Sequence, residues 1–229
     1  MSHPKYTARI IAKTIDHSLL KPEMTREEVK AGCEIAKKYD VASVCCKPSD
    51  VKFCADLLKG TDVLVGTVVG FPHGTTTTEV KVFETKQAVA DGATEIDMVI
   101  NIGHLKSGMN AEVQADIKAV VDASAGHTVK VILENAYLTD EEKVTACKLS
   151  EAAGAHYVKT STGYAPTGAS IADIKLMKAS VSPHIKIKSA GGVRTLDSLM
   201  EYLDAGISRS GATTTAVMID EFIERFGRE

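Results

Sequence analysis

Eight short β-rich runs, separated by stretches of helical periodicity, constrain this chain more than any other feature of it. The runs open at 13 (KTIDH), 42 (ASVCC), 62 (DVLVGTVVGF), 95 (EIDMVIN), 129 (VKVILE), 156 (HYVKTS), 185 (IKIKSA) and 207 (ISRSG). Several of the segments between them begin with capping signals: Thr25 with Glu28 three residues on, Thr139 with Glu142, and Thr195 after a Gly-Gly turn. A last helix is expected over about 214 to 226, setting Val217, Phe222 and Phe226 among acidic neighbours. Strands that alternate with helices pair in parallel and carry the helices outside. Eight such units in 229 residues predict one α/β domain spanning 1–229, at the small end of the (β/α)8 TIM barrel range. A doubly wound open sheet is the competing architecture. It needs fewer strands at this length, and no G-x-G-x-x-G follows the first strand.

Charge and composition then remove several classes of function. The 27 basic side chains nearly cancel the 30 acidic ones, which leaves no footprint for nucleic acid or an anionic membrane as partner. The longest apolar run, VLVGTVVGF at 63 to 71, is broken by glycines and falls far short of the ~18 residues of a membrane span. The first residues, MSHPKYTARIIAKTIDH, lack a secretory apolar region, so the chain is expected in the cytoplasm. Cysteines 33, 45, 46, 54 and 147 include no C-x-x-C pair and read as reduced thiols without a metal. With no tryptophan and 5% aromatics, a base-stacking surface lacks material.

The informative oddity is charge inside the strands. Strand side chains alternate between faces. In EIDMVIN, Ile96, Met98 and Ile100 suit the helices, which turns Asp97 and Asn101 toward the barrel axis. By the same rule Val129, Val131 and Leu133 leave Lys130 and Glu134 inward, and Val158 leaves Tyr157, Lys159 and Ser161. Ile185 and Ile187 leave Lys186 and Lys188, with Lys186 nearer the barrel floor; Asp16 faces in or lies on the rim. Lysines at strand ends are commonly just solvated. Lys159 and Lys188, however, sit immediately before turns at the C-terminal ends of strands, where barrel enzymes keep their chemistry.

Two lysines on neighbouring strands would each depress the other's pKa, and burial acts the same way. A lysine left unprotonated can form a Schiff base with an aldehyde, and the iminium is an electron sink beside the substrate's carbon. Asp97 is then placed to move protons. This is carbon–carbon bond chemistry that needs no metal and no organic cofactor. After the seventh strand comes Gly191-Gly192-Val193-Arg194, and after the eighth Gly211-Ala212-Thr213-Thr214. Glycine backbone and a helix N-terminus at these two loops suit a phosphate. A phosphorylated substrate follows, with Tyr164 a candidate for the same pocket.

The chain resembles the deoxyribose-phosphate aldolase family of class I aldolases. The likeness is carried by TIDHSLLKP from 14, VGFPHGTTTTEVK from 69, EIDMVINIG from 95, VKTSTG from 158 and KSAGGVRT from 188. It implies a Schiff base on Lys159, a pKa-lowering neighbour in Lys188, a proton relay through Asp97 and support from Asp16. Lys130, Glu134 and Thr160 match positions around the substrate, and Gly163, Gly191, Gly192, Arg194, Gly211, Thr213 and Thr214 match the phosphate end. The implied reaction is reversible cleavage of 2-deoxy-D-ribose 5-phosphate to acetaldehyde and D-glyceraldehyde 3-phosphate. The implied role is deoxynucleoside catabolism, and the implied assembly a homodimer or homotetramer.

Some positions depart from that pattern. Thr213 and Thr214 stand where many relatives have serine, Asn135 where threonine is common and Lys47 where asparagine is common. The last tyrosine is Tyr202, so a tail tyrosine that assists proton transfer in some relatives is not expected here. Cys46, sharing a face with Val44, is expected toward the barrel mouth, where a thiol could trap reactive enals; His73 and His104 lie at or near turns. Two other readings stay open on the residues alone: a barrel phosphosugar isomerase or lyase without an imine, and a non-catalytic sugar-phosphate sensor.

Overall fold

The computed structural model describes residues 5–228. Its strands are β1 (Ile15–Leu19), β2 (Ser43–Cys46), β3 (Leu64–Val69), β4 (Glu95–Val99), β5 (Thr128–Ile132), β6 (Tyr157–Lys159), β7 (Lys186–Ser189) and β8 (Arg209–Ala212). All pairs are parallel, each strand joins the next, and β8 returns to β1, so the sheet closes into a (β/α)8 barrel. The helices are α1 (Ala8–Lys13), α2 (Arg26–Tyr39), α3 (Val51–Leu58), α4 (Thr78–Ala90), α5 (Ile102–Lys106) and α6 (Asn110–Ala123). They continue with α7 (Asp140–Ala152), α8 (Ile171–Ala179), α9 (Leu196–Ala205) and α10 (Thr215–Phe226). Among the described residues no helix is long and apolar enough to cross a membrane.

Both expected capping boxes form. Thr25 and Thr139 each accept from the backbone three residues on, at 3.3 Å, while Glu28 and Glu142 reach back to the cap N–H at 2.7 and 2.8 Å. Each cap contributes about 1 kcal/mol. Thr195 opens α9 by accepting from Ser198 N at 3.2 Å. On α10 the buried stripe is Thr215, Met218, Ile219 and Phe222; Val217 is 64% exposed, because its position in the helical turn points away from the barrel.

The main core is the layer between strands and helices. Ile96, Met98, Ile100, Val129, Val131, Leu133, Val158, Ile185 and Ile187 all pack there, which sends their strand neighbours to the barrel axis. Asn101 is the exception to the expected pattern. It lies just past β4, and its side chain caps α5 by accepting from His104 N at 3.1 Å. Barrel interiors are ordinarily filled by layers of branched aliphatics. Here the axis instead carries Asp16, Glu95, Asp97, Lys130, Lys159 and Lys188, all buried.

His17 sits on the outer face of β1 and shares a 2.8 Å hydrogen bond between its Nδ1 and the Thr215 hydroxyl at the start of α10. Burial pushes its imidazole down from 6.5 to about 4. Between those values the unfolded chain binds a proton that the folded chain refuses, so stability falls as pH falls through this window. The drop from 6.5 to about 4 corresponds to at most roughly 3 to 4 kcal/mol at 1.36 kcal/mol per pH unit. Urea midpoints at pH 7 and pH 4.5 should therefore diverge more in the native protein than in His17→Gln; equal divergence would remove His17 as the cause.

Candidate active site

A cavity of about 500 Å³ opens at the C-terminal end of the barrel. Asp16, Cys45, Lys159 and Lys188 line it below, and the loops after β1, β6, β7 and β8 line it above. Strand register brings the two lysines together, since Lys159 on β6 pairs with Lys188 on β7. Both ammonium nitrogens lie 2.7 Å from the same oxygen, Oδ2 of Asp97. Lys188 has a second carboxylate, Asp16, at 2.5 Å. Beneath them Lys130 meets three: Glu95 at 2.6 Å, Asp16 at 3.1 Å and Asp97 at 3.2 Å. Arg209 from β8 pairs with Asp16 and, at 2.6 Å, with Glu95.

The set therefore holds three buried carboxylates, Asp16, Glu95 and Asp97, against four basic groups, the buried Lys130, Lys159 and Lys188 and the partly buried Arg209. A surplus buried charge is costly, and such a group gives up its proton instead. Of the four, Lys159 has the fewest partners, with one carboxylate, and that one is shared. Burial pushes its pKa down and the Lys188 charge adds to this, outweighing Asp97. The expectation that each lysine depresses the other holds only for Lys159. Burial also disfavours the charge of Lys188, but Asp16 and Asp97 more than restore it and hold this ammonium above its ordinary value. Asp97 is well below the usual carboxylate range: its burial is outweighed by Lys130, Lys159 and Lys188.

Above this layer the walls are backbone-rich. Gly163, Gly191 and Gly192 line the cavity with φ of 92°, 78° and 84°, a region that side-chain-bearing residues rarely adopt. Gly191 is also crowded: a Cβ on Gly168 would sit 2.0 Å from its carbonyl oxygen. Ala169 N donates to both the Ala190 and Gly191 carbonyls, at 3.0 and 3.2 Å. Arg194, Gly211 and Thr213 complete this side of the cavity. Thr214 lies behind it, donating to the Arg194 carbonyl at 3.0 Å, so α10 starts without a side-chain cap.

Four expected substrate contacts lie elsewhere. Lys130 does not line the cavity, because its side chain is consumed by the carboxylates of the floor. Thr160 follows inward-facing Lys159 and so turns away; its hydroxyl donates to the Ala190 carbonyl at 3.3 Å and accepts from Ala190 N at 3.1 Å, joining the ends of β6 and β7. Glu134, in a left-handed conformation, accepts from Thr162 N at 3.1 Å and from the Thr162 hydroxyl. It lines a neighbouring cavity of about 340 Å³ with exposed His73. Cys46 is corrected outright: Val44 and Cys46 share the outer core, where the Cys46 thiol lies against the Gly66 carbonyl and Cys54. Alternation leaves Cys45 as the thiol at the cavity, its pKa pushed up to about 11 by burial.

Of the remaining candidates, Lys186 is exposed, with its Nζ 5.7 Å from the Tyr157 ring centroid, and His104 is exposed. Tyr164 lines both cavities, donates to the Leu20 carbonyl at 2.9 Å and meets Phe71 edge-on at 5.5 Å. Glu95 and Arg209 were not singled out from sequence, although each lies two residues before a recognised position on its own strand, Asp97 and Gly211, and therefore on the same face.

Comparison with known proteins identifies the family. A profile of the DeoC/LacD family aldolases matches residues 10–221. The chain is 54% identical over 208 residues to a deoxyribose-phosphate aldolase of Staphylococcus epidermidis (strain ATCC 12228 / FDA PCI 1200), covering 91% of this chain and 94% of that one. It is 52% identical over 210 residues to that of Streptococcus gordonii, covering 91% and 96%. Among solved structures, a tetrameric deoxyribose phosphate aldolase from Aeropyrum pernix superposes with a TM-score of 0.88 at 27% identity, over 94% of this chain and 92% of that one. An enzyme by both measures, the chain belongs to the DeoC/LacD family of aldolases.

Proposed function

We propose that this aldolase reversibly cleaves 2-deoxy-D-ribose 5-phosphate to acetaldehyde and D-glyceraldehyde 3-phosphate through an imine on Lys159. The observation that carries the reading is the shared Asp97 oxygen: it holds a fully compensated ammonium, Lys188, against an under-compensated amine, Lys159, at the base of a cavity. The names of the relatives supply the substrate.

In cleavage, the Lys159 Nζ attacks C1 of the open-chain sugar, and loss of water gives the iminium. Two carbons leave as acetaldehyde, so the bond that breaks is C2–C3. Its electrons move into the iminium to give an enamine as the C3 hydroxyl loses its proton and becomes the carbonyl of glyceraldehyde 3-phosphate. Protonation at C2 and hydrolysis then release acetaldehyde and the free amine. Asp97, hydrogen-bonded to both lysines, is the group assigned to the proton transfers, and Lys188 keeps a positive charge beside them.

The phosphate is assigned to Gly163, Gly191, Gly192, Arg194, Gly211 and Thr213, with Thr214 behind them, where positive-φ glycines free backbone amides to meet an anion. Thr195 already caps α9, whereas α10 has no side-chain cap, which favours the α10 end as the docking point. A homodimer or homotetramer acting in cytoplasmic deoxynucleoside catabolism completes the proposal, and a tetrameric relative supports the assembly. The test is acetaldehyde release from deoxyribose 5-phosphate in a coupled assay, together with borohydride trapping of acetaldehyde as one ethyl group on Lys159. Release without an adduct would favour acid–base lyase chemistry; binding without release would favour a sensor.

A further inference from the structure

We propose that Glu95 and Arg209, on the barrel floor and outside the cavity lining, are positioning residues that set whether the amine of Lys159 carries a proton. The inference rests on the imine reading above. It begins from an anomaly of cost: this level of a barrel is ordinarily filled with branched aliphatics, and buried ion pairs in place of such packing are often neutral or destabilising. Glu95 and Arg209 are nonetheless joined to the lysine layer by an unbroken chain. Arg209 holds Glu95 at 2.6 Å and also pairs with Asp16; Asp16 holds Lys188 at 2.5 Å; Lys188 and Lys159 share Asp97 at 2.7 Å each. Lys130 ties the same three carboxylates together from below.

The ionisable groups around Lys159 come from nearly every strand: Asp16 from β1, Cys45 from β2, Glu95 and Asp97 from β4, Lys130 from β5, Tyr157 from β6 itself, Lys188 from β7 and Arg209 from β8. With the three carboxylates and the four basic groups all ionised, four positive charges face three negative ones. The surplus disappears when Lys159, held by one shared carboxylate, is the free amine. Arg209 creates that surplus and Glu95 limits it. The two residues therefore act on Lys159 with opposite sign, although neither reaches the substrate and they are bonded to each other.

The test is the pH profile of kcat/KM, read alongside the pH dependence of borohydride trapping of acetaldehyde on Lys159 by mass. In Arg209→Met the set balances with Lys159 protonated. The acidic limb should move to higher pH, costing roughly tenfold or more at pH 6 with recovery toward pH 9. Glu95→Gln should move the limb the other way, keeping more of the pH 8 rate at pH 6 than the native enzyme keeps. The double variant restores a surplus of one and should return the limb toward its native position, as should Arg209→Lys. Equal losses without displacement of the limb, or displacement of both single variants in one direction, would overturn the proposal. If Arg209→Met fails to fold by circular dichroism, the sign in Glu95→Gln and the native profile of Arg209→Lys still decide. Absence of a Lys159 adduct in the native enzyme would instead refute the imine reading itself.

Discussion

Lys159→Met is expected to yield a folded barrel that has lost turnover by a factor on the order of 10⁶, the scale of loss when a covalent nucleophile is removed. The fold should survive for a reason visible in the buried charges. Taking Lys159 away leaves three basic groups for three carboxylates, and Asp97 keeps Lys188 at 2.7 Å and Lys130 at 3.2 Å. No charge is stranded, so the several kcal/mol that follow the breaking of a buried pair are not expected. Circular dichroism and a denaturation midpoint close to the native one, together with the lost turnover, would bear this out. Turnover that survived would end the imine mechanism and leave acid–base chemistry in its place.

Lys188→Leu should also be severe, and informative in its pH dependence. Its removal takes away the positive neighbour that helps to depress Lys159, and it leaves Lys159 as the sole donor to Asp97 Oδ2. Both changes raise the nucleophile's pKa, so less free amine is present at neutral pH, a loss of roughly ten- to a hundredfold. Disturbing the proton transfers through Asp97 adds a further factor of about 10² or more. The first part should recover as pH rises and the second should not, so the profile separates them. A profile of unchanged shape would remove Lys188 as the residue that tunes Lys159.

Much of this was legible in the chain because a strand has a period of two. Once Ile96 and Met98, Val129 and Val131, or Ile185 and Ile187 were given to the helices, Asp97, Lys130 and Lys188 had nowhere to go but the axis. Parity fails where a strand ends. Glu134 and Asn101 lie two residues beyond β5 and β4, where local turns and hydrogen bonds decide direction, whereas alternation itself turns Thr160 away and only the resemblance placed it at the substrate. Cys45 and Cys46 were exchanged for a different reason: two adjacent thiols give no hydrophobic contrast, and only the packing of Cys46 against Cys54 from α3 settles the face. Arg209 was hidden because β8, Arg-Ser-Gly-Ala, is short and has no large apolar residue to mark which face turns outward. Long-range pairs such as Arg209 with Glu95, 114 residues apart, have no local signal.

The crowding of Gly168 against Gly191 fixes the shape of one wall of the cavity. With the two backbones in contact, Ala169 bonded to both carbonyls, Thr160 bridging to Ala190 and the Tyr202 hydroxyl holding the Ala169 carbonyl at 2.8 Å, the segments after β6 and β7 are riveted into one panel. Neither can swing without dragging the other. The opposite jamb, Leu20 to Glu23, is exposed or half-buried and is latched to that panel by the Tyr164 hydroxyl on the Leu20 carbonyl. The mouth is thus framed by a wall tied main chain to main chain and a wall joined to it through a tyrosine phenol, and the tied wall is the one assigned to the sugar's charged end.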